Sequence, residues 1–323
     1  MQMDKSQGQQ NILVFGIGGA GVNSVARMKE MKVPGVQFIT MGTSEKCCEG
    51  VPHINLSDSN RKLSGCGGDP HVGEELALKK EREIAKAVCG QDMLIVSAGM
   101  GRGTGNGASY VVADIARKNE VLSAGIVTTP FGFEGKRRQI TADEGISRLE
   151  ALLDCIVVIH NESLFKVVEK EMQVNLEQAF HIADDTLHKA VRGISDLVVI
   201  PGEWNIDFAD LRTTISDSGR AIIGMGEADG ENRAKEAFEK AVSSPLLESG
   251  FEGAKRVLLN VTGNHDLTLH EFNAIGNALT EKINNPDANI IVGSVYDSGC
   301  GEKLKVSIFA TDFQKSARQL KGV

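Results

Sequence analysis

No C-x-x-C pair occurs anywhere in the sequence. Its six cysteines, Cys47, Cys48, Cys66, Cys89, Cys155 and Cys300, are scattered, which argues against both a zinc site and a disulfide framework. Cys47-Cys48 reads either as a redox-reactive pair or as an incidental one. The seven histidines lack metal-ligand spacing, and His181 with His188 reads as surface or core, so no metal is expected on the protein's own side chains. No block of lysine and arginine stands out, and the formal net charge is −8, which argues against nucleic acid held on a basic face. Long apolar runs are missing too. The polar opening MQMDKSQGQQ leads into the short run NILVFGIGG, neither a secretory signal nor a membrane span, so a cytoplasmic protein without direct membrane insertion is expected. There is no internal repeat and no low-complexity segment.

What is present is an ordinary globular composition: 323 residues, 41% hydrophobic and 24% charged, enough for one large domain or two medium ones. From residue 11, strands and helices alternate. NILVFGIG, VQFITM, DMLIVSAG, AGIVTTPF and CIVVIHN read as strands, and GVNSVARMKEMK, VGEELALKKEREIAKAVC, ASYVVADIARKN and QITADEGISRLEALLD as helices. That alternation predicts a doubly wound parallel sheet. In NLEQAFHIADDTLHKAVRGISDL, Phe180, Ala183, Leu187, Val191 and Ile194 recur at spacings of three and four, which predicts one long amphipathic helix. Beyond it VLLNVTG, NIIVGSVY and KLKVSIFAT read as strands, with AFEKAV and EFNAIGNALTEKI as helices, in a second and smaller α/β domain.

Two glycine-rich loops each follow an apolar strand and precede a helix: Gly16-Ile17-Gly18-Gly19-Ala20-Gly21, and SAGMGRGTGNGA over 97–108. At that junction bare backbone N–H groups can approach phosphate oxygens, and the following helix adds the positive end of its dipole. The bland alternative for either loop is a tight turn. Parallel strands share one crevice at their carboxyl ends, so both loops can converge on one ligand. The first loop satisfies G-x-G-x-x-G, yet the next strand ends Met41-Gly42-Thr43-Ser44, with no acid to hold a dinucleotide ribose. The pattern G-x-x-x-x-G-K-[ST] is absent. A third cluster, Ser64-Gly65-Cys66-Gly67-Gly68-Asp69-Pro70, would add the donors a triphosphate needs. In TPFGFEGKRR, just past a strand, Glu134 can accept from ribose hydroxyls and Arg138 can face a phosphate; otherwise the run is a solvated charge cluster.

The run GMGRGTGNGA resembles the G-M-G-G-G-T-G-T-G-A signature of the tubulin/FtsZ GTPases, differing at Arg102 and Asn106. The likeness continues through TPFGFEGKRR, the helix with AFHIADD, WNIDFADLRTTISDSGRAIIGMG and AVSSPLLE, and so covers nearly the whole chain. It implies a Rossmann-like GTP-binding domain over 11–174 after a disordered extension over 1–10. A central helix over 175–197, an activation domain with a mixed sheet over 198–313 and a tail over 314–323 complete the chain. Phosphate contacts are implied at Gly18, Gly19, Ala20, Gly21 and Asn23 and at Gly101, Gly103, Thr104, Gly105 and Asn106, to which the third cluster's Gly67 and Gly68 are expected to add their donors. Glu134 falls on the ribose position, Arg138 on its basic phosphate-side partner, and Asn161 near sugar and base. Phe180 matches the ring stacked on guanine and Asp184 the carboxylate reading the base edge. A carboxylate accepts from guanine N1–H and the exocyclic amine, so the implied cofactors are GTP/GDP with Mg²⁺.

Within NIDFAD the resemblance implies Asn205, Asp207 and Asp210 as catalytic residues. In the family this loop reaches the GTP of the next molecule in a head-to-tail protofilament, so hydrolysis requires assembly. Read without the resemblance, Asp207 is a helix N-cap with Phe208 buried behind it. The implied partners are further copies of the chain, with membrane-tethering and division proteins, and the implied place is a midcell ring. The alternatives are a filament-forming paralogue without a division role and an NAD(P)-dependent oxidoreductase resting on the first loop. Gly42-Thr43-Ser44 stands where the family commonly has Asn-Thr-Asp, which removes an amide and a carboxylate near the γ-phosphate. Past its last strand the sequence reads TDFQKSARQLKGV, without the linker and short apolar peptide that family members carry toward membrane tethers. Arg102 has two readings, a cation near phosphate oxygens or a side chain directed toward the next subunit. The second is favoured, because a glycine in the family implies contact through backbone.

Overall fold

The computed structural model describes residues 10–30, 35–44, 48–58, 65–168, 175–199, 206–244 and 250–313. The chain divides into two compact units, Met1–Val199 and Ile200–Val323.

In the first unit the strands are β1 (Ile12–Ile17), β2 (Val36–Gly42), β3 (His53–Asn55), β4 (Met93–Gly99), β5 (Leu122–Thr129) and β6 (Cys155–His160). They lie in the order β3-β2-β1-β4-β5-β6, every described pair parallel, as the alternation of strands and helices predicts. All six residues of β1 are buried, the signature of a parallel strand covered on both faces. The helices are α1 (Gly18–Glu30), α2 (Pro70–Leu78), α3 (Glu81–Val88), α4 (Gly103–Lys118), α5 (Lys136–Glu150), α6 (Asn161–Val168) and α7 (Leu176–Val199).

One expected helix is two. VGEELALKKEREIAKAVC breaks between α2 and α3, where Leu78 is half exposed and gives the turn no anchor in the core. Lys79 is drawn to Asp58 at 3.0 Å, and Lys80 to Glu83 at 2.8 Å. The long helix α7 buries Ala183, Leu187, Val191 and Ile194 as its spacing predicts, but Phe180 leaves the stripe and is 37% exposed.

The second unit holds α8 (Phe208–Ile215), β7 (Gly219–Ala228), α9 (Arg233–Val242), β8 (Arg256–Gly263), α10 (Leu269–Ile283), β9 (Asn289–Tyr296) and β10 (Leu304–Thr311). Its sheet runs β7-β10-β8-β9, antiparallel across the first two junctions and parallel across the third. Strand β7 escapes the sequence reading because Gly224 and Gly226 interrupt its apolar run. A methyl at either would strike the carbonyl of Ala241 or Ala237, so these glycines let α9 lie close on the strand. The buried Arg233 binds Glu271 at 2.6 Å, Asp266 at 2.8 Å and the Glu302 carbonyl. Its guanidinium holds the Glu271 carboxyl down at about 2. Cys48, Cys66, Cys89, Cys155 and Cys300 are free, and Cys47 lies outside the described residues.

Candidate nucleotide site

Strand order reverses between β1 and β4, and the crevice beyond their carboxyl ends is where an open α/β sheet takes its ligand. Their registers bring Ile17 level with Ala98, so the loops opening α1 and α4 sit side by side. The glycines there fall into two groups. A methyl on Gly21 would strike the Ser97 carbonyl, one on Gly105 the Gly99 carbonyl and one on Gly107 the Pro70 carbonyl. Those three are bare because backbone packs on backbone. Gly19, Gly67 and Gly68 have nothing within 4 Å of such a methyl, so their backbone faces open space. Gly67 and Gly68 also need glycine's freedom, at φ 58° and 83°. Gly103 is closed off by Cys66 and Asp69. Across that contact the Cys66 thiol meets the Thr104 hydroxyl at 3.3 Å.

Asn106 faces inward. It is buried, its Oδ1 accepts from Gly101 N at 2.8 Å, and its Nδ2 donates to the Thr141 carbonyl on α5. The side chain expected at phosphate is thus committed to holding Gly101, which sits at φ 91°, in the shape of the loop.

Glu134 lies on the short turn after β5, with its side chain only 9% exposed. It accepts from Phe131 N at 3.1 Å, from Arg138 four residues on, and from Arg102 at 3.4 Å. Arg102 therefore lies against the expected ribose carboxylate. Asn161, the first residue of α6, is buried, and its Oδ1 receives no hydrogen bond. A buried acceptor without a donor fits the hydroxyl or N–H of a bound nucleoside.

At the start of α7, the Phe180 ring meets Phe131 edge-on at 5.3 Å and Phe133 at 6.3 Å. Phe131 is buried and holds this cluster to the unit, while Phe133 is well exposed. Asp184 accepts from Asn23 Nδ2 at 2.9 Å, which joins α7 to α1. One turn further along α1, Arg27 pairs with Asp185 at 3.1 Å and meets His181 Nδ1 at 2.9 Å. Burial pushes the Asp185 carboxyl up, but Lys189 and Arg27 outweigh it and hold the group below its ordinary range. This clamp and the Phe131–Phe133 pair were not singled out from sequence, although the two phenylalanines of PFGF were a readable signal.

In the second unit Asp207 caps α8. Its Oδ1 accepts from Asp210 N at 2.7 Å while Asp210 Oδ2 accepts from Asp207 N at 3.4 Å, a reciprocal capping box. Phe208 is half-buried rather than buried. Asn205 lies outside the described residues. Among the described residues no three His, Cys, Asp or Glu side chains gather as metal ligands, and no helix is long and apolar enough to cross a membrane.

A parallel sheet with three glycine-rich loops at its switch point, a largely buried carboxylate beside two arginines and a partly exposed aromatic ring defines a nucleotide-binding α/β domain. Residues 11–169 match the family model of the tubulin/FtsZ GTPase domain, and residues 219–314 match that of the FtsZ C-terminal domain. The cell division protein FtsZ of Rickettsia bellii is 42% identical over 307 residues, covering 93% of this chain and 66% of that protein. That of Rickettsia conorii is 41% identical over 304 residues, covering 93% and 67%. An empty FtsZ dimer from M. jannaschii superposes with a TM-score of 0.87 at 36% identity, over 95% of this chain and 89% of that one. The chain belongs to the FtsZ family of tubulin-like GTPases. It spans about two thirds of the length of the curated relatives it matches.

Proposed function

We propose that this chain is a polymerising GTPase of the cell-division type, which hydrolyses GTP between head-to-tail subunits. The observation that carries the reading is the sorting of the glycines: three loops at one switch point, with Gly19, Gly67 and Gly68 presenting open backbone. Residues 11–174 act as the GTP-binding domain, 175–197 as the connecting helix and 198–313 as the activation domain.

In this reading the N–H groups from Gly18 to Gly21, at Gly67 and Gly68 and from Gly101 to Gly105 surround the phosphates, where fixed dipoles stabilise charge that grows in the transition state. Thr104 adds its hydroxyl, and Asn106 keeps the loop in shape. Glu134 takes a ribose hydroxyl beside Arg138, Asn161 accepts from the nucleoside, Phe180 stacks on guanine, and Asp184, steadied by Asn23, reads the base edge. Mg²⁺ bound with the nucleotide would neutralise the charge that grows on the phosphate in the transition state. Asp207 and Asp210 of the neighbouring copy, with Asn205, orient the attacking water. Division and membrane-tethering proteins are the further partners, and a midcell ring the site of action. Gly42 and Ser44, in place of the family's amide and carboxylate, favour a second reading, a filament-forming paralogue with altered hydrolysis.

GTP turnover measured across protein concentration tests the shared site. The expected result is a threshold below which turnover per subunit vanishes; a constant turnover per subunit at all concentrations refutes assembly-dependent hydrolysis.

A further inference from the structure

Arg102 stands where the physics of an isolated helix disfavours a cation. It is the N-cap residue of the 16-residue helix α4, it makes no side-chain cap hydrogen bond, and the first turn of α4 carries no acid. A positive side chain at a helix N-terminus opposes the macrodipole. What holds it there is Glu134, and that hold is loose. The Arg102–Glu134 separation is 3.4 Å, whereas charge-assisted hydrogen bonds of this kind settle at about 2.7–2.9 Å. Arg138 already neutralises the same carboxylate, so the pair of guanidiniums leaves one positive charge in excess. The Arg102 side chain is 64% exposed, while that of Glu134 is only 9% exposed. Arg102 stands in the signature loop, where Gly103 abuts Cys66 and Asp69 of the third glycine cluster and Gly105 faces Gly18 of the first loop, at the N-terminal end of α4, which favours an anion.

We infer that Arg102 is a phosphate-binding side chain, held on Glu134 until a nucleoside polyphosphate arrives and passed to the phosphate as it binds. The exchange releases Glu134 to the ribose, so phosphate and sugar are recognised in one coupled step. The inference rests on the reading of this site as a GTP site. It chooses the phosphate over the next subunit as the target of Arg102, and it supplies a charge that the family draws from no side chain at this position. No bond is made or broken; one ion pair replaces another.

Calorimetric titration with GTP and GDP, at low and high KCl, tests it on the parent protein and on Arg102→Gln, Arg102→Gly and Arg102→Lys. Loss of the charge weakens GTP binding about tenfold or more and flattens its dependence on KCl, and lysine restores part of the affinity. Without nucleotide, the Gln and Gly variants melt at or above the parent temperature, because a cation has been taken from the positive end of α4. GTP affinity within twofold of the parent in both variants overturns the inference. So does unchanged affinity with a raised assembly threshold, which assigns the arginine to the neighbouring copy. A fall in melting temperature together with affinity also overturns it, since Arg102 would then be holding Glu134 for the fold. A parent protein that binds no GTP removes the site reading itself, a separate outcome from these.

Discussion

Replacing Asn106 by alanine separates two roles that a residue in a phosphate loop can have. Its amide accepts from Gly101 N and donates to the Thr141 carbonyl, and Gly101 is held at φ 91° with Pro130 packed against it. Alanine leaves the buried Gly101 N–H without a partner and removes one of two bonds to the Thr141 carbonyl, which keeps its place in the ladder of α5. The orphaned N–H costs about 1–3 kcal/mol and the lost bond to the carbonyl about 0.5–1.5 kcal/mol, so the expected loss is about 2–4 kcal/mol. For a unit of this size that lowers the melting temperature by roughly 5–15 °C. Gly145 on α5 offers a second route to the same joint, since a methyl there would meet the Asn106 amide, and Gly145→Ala is expected to destabilise the first unit as well. The assay is thermal and urea unfolding of both variants without nucleotide, with GTP affinity measured on the folded protein. Asn106→Ala is expected to lose stability and affinity together. An Asn106→Ala protein that melts with the parent yet binds GTP tenfold more weakly refutes the reasoning, because the side chain would then be touching nucleotide directly.

Asp210→Ala is expected to keep GTP affinity and lose most turnover, at a cost of about 1 kcal/mol from the broken capping box; undiminished hydrolysis in a steady-state assay removes Asp210 from the mechanism. The Glu271 carboxyl sits at about 2, against an ordinary 4.5, because Arg233 stabilises its charged form, so its contribution is complete above pH 4.5 and is lost as pH falls through about 2. That shift corresponds to about 3 kcal/mol. Unfolding free energies of the parent and Glu271→Gln, measured from pH 6 downward, should converge as pH approaches 2; a gap that stays constant over that range removes Glu271 as its source.

The parallel sheet of the first unit was legible because covered strands read as unbroken apolar runs, and α7 because its buried positions keep helical spacing. Phe180 shows the limit of that reasoning. Its spacing places it in the stripe, yet it lies a third of the way out of it, against Phe133. Strand β7 was hidden by glycines whose purpose is the approach of a helix far along the chain, which no local window contains. The same blindness affected the signature loop, where every glycine looks alike in sequence. Only the neighbours distinguish Gly105 and Gly107, closed off by backbone, from Gly19, Gly67 and Gly68, which stay open. The resemblance pointed to Asn161, but that its oxygen lacks a donor could not have been read there, since a missing hydrogen bond is a property of surroundings.

Helices α2 and α4 touch backbone to backbone: a methyl on Gly73 would strike the Gly103 carbonyl, and one on Gly107 the Pro70 carbonyl. Cys66 and Thr104 close the same seam at its open end. With no side-chain cushion to absorb a shift, the third glycine loop and the signature loop behave as one stiff jaw. Asn106 then bolts that jaw to α5 through Thr141. Any push against one loop is therefore delivered to the other, and onward to the helix that carries Arg138.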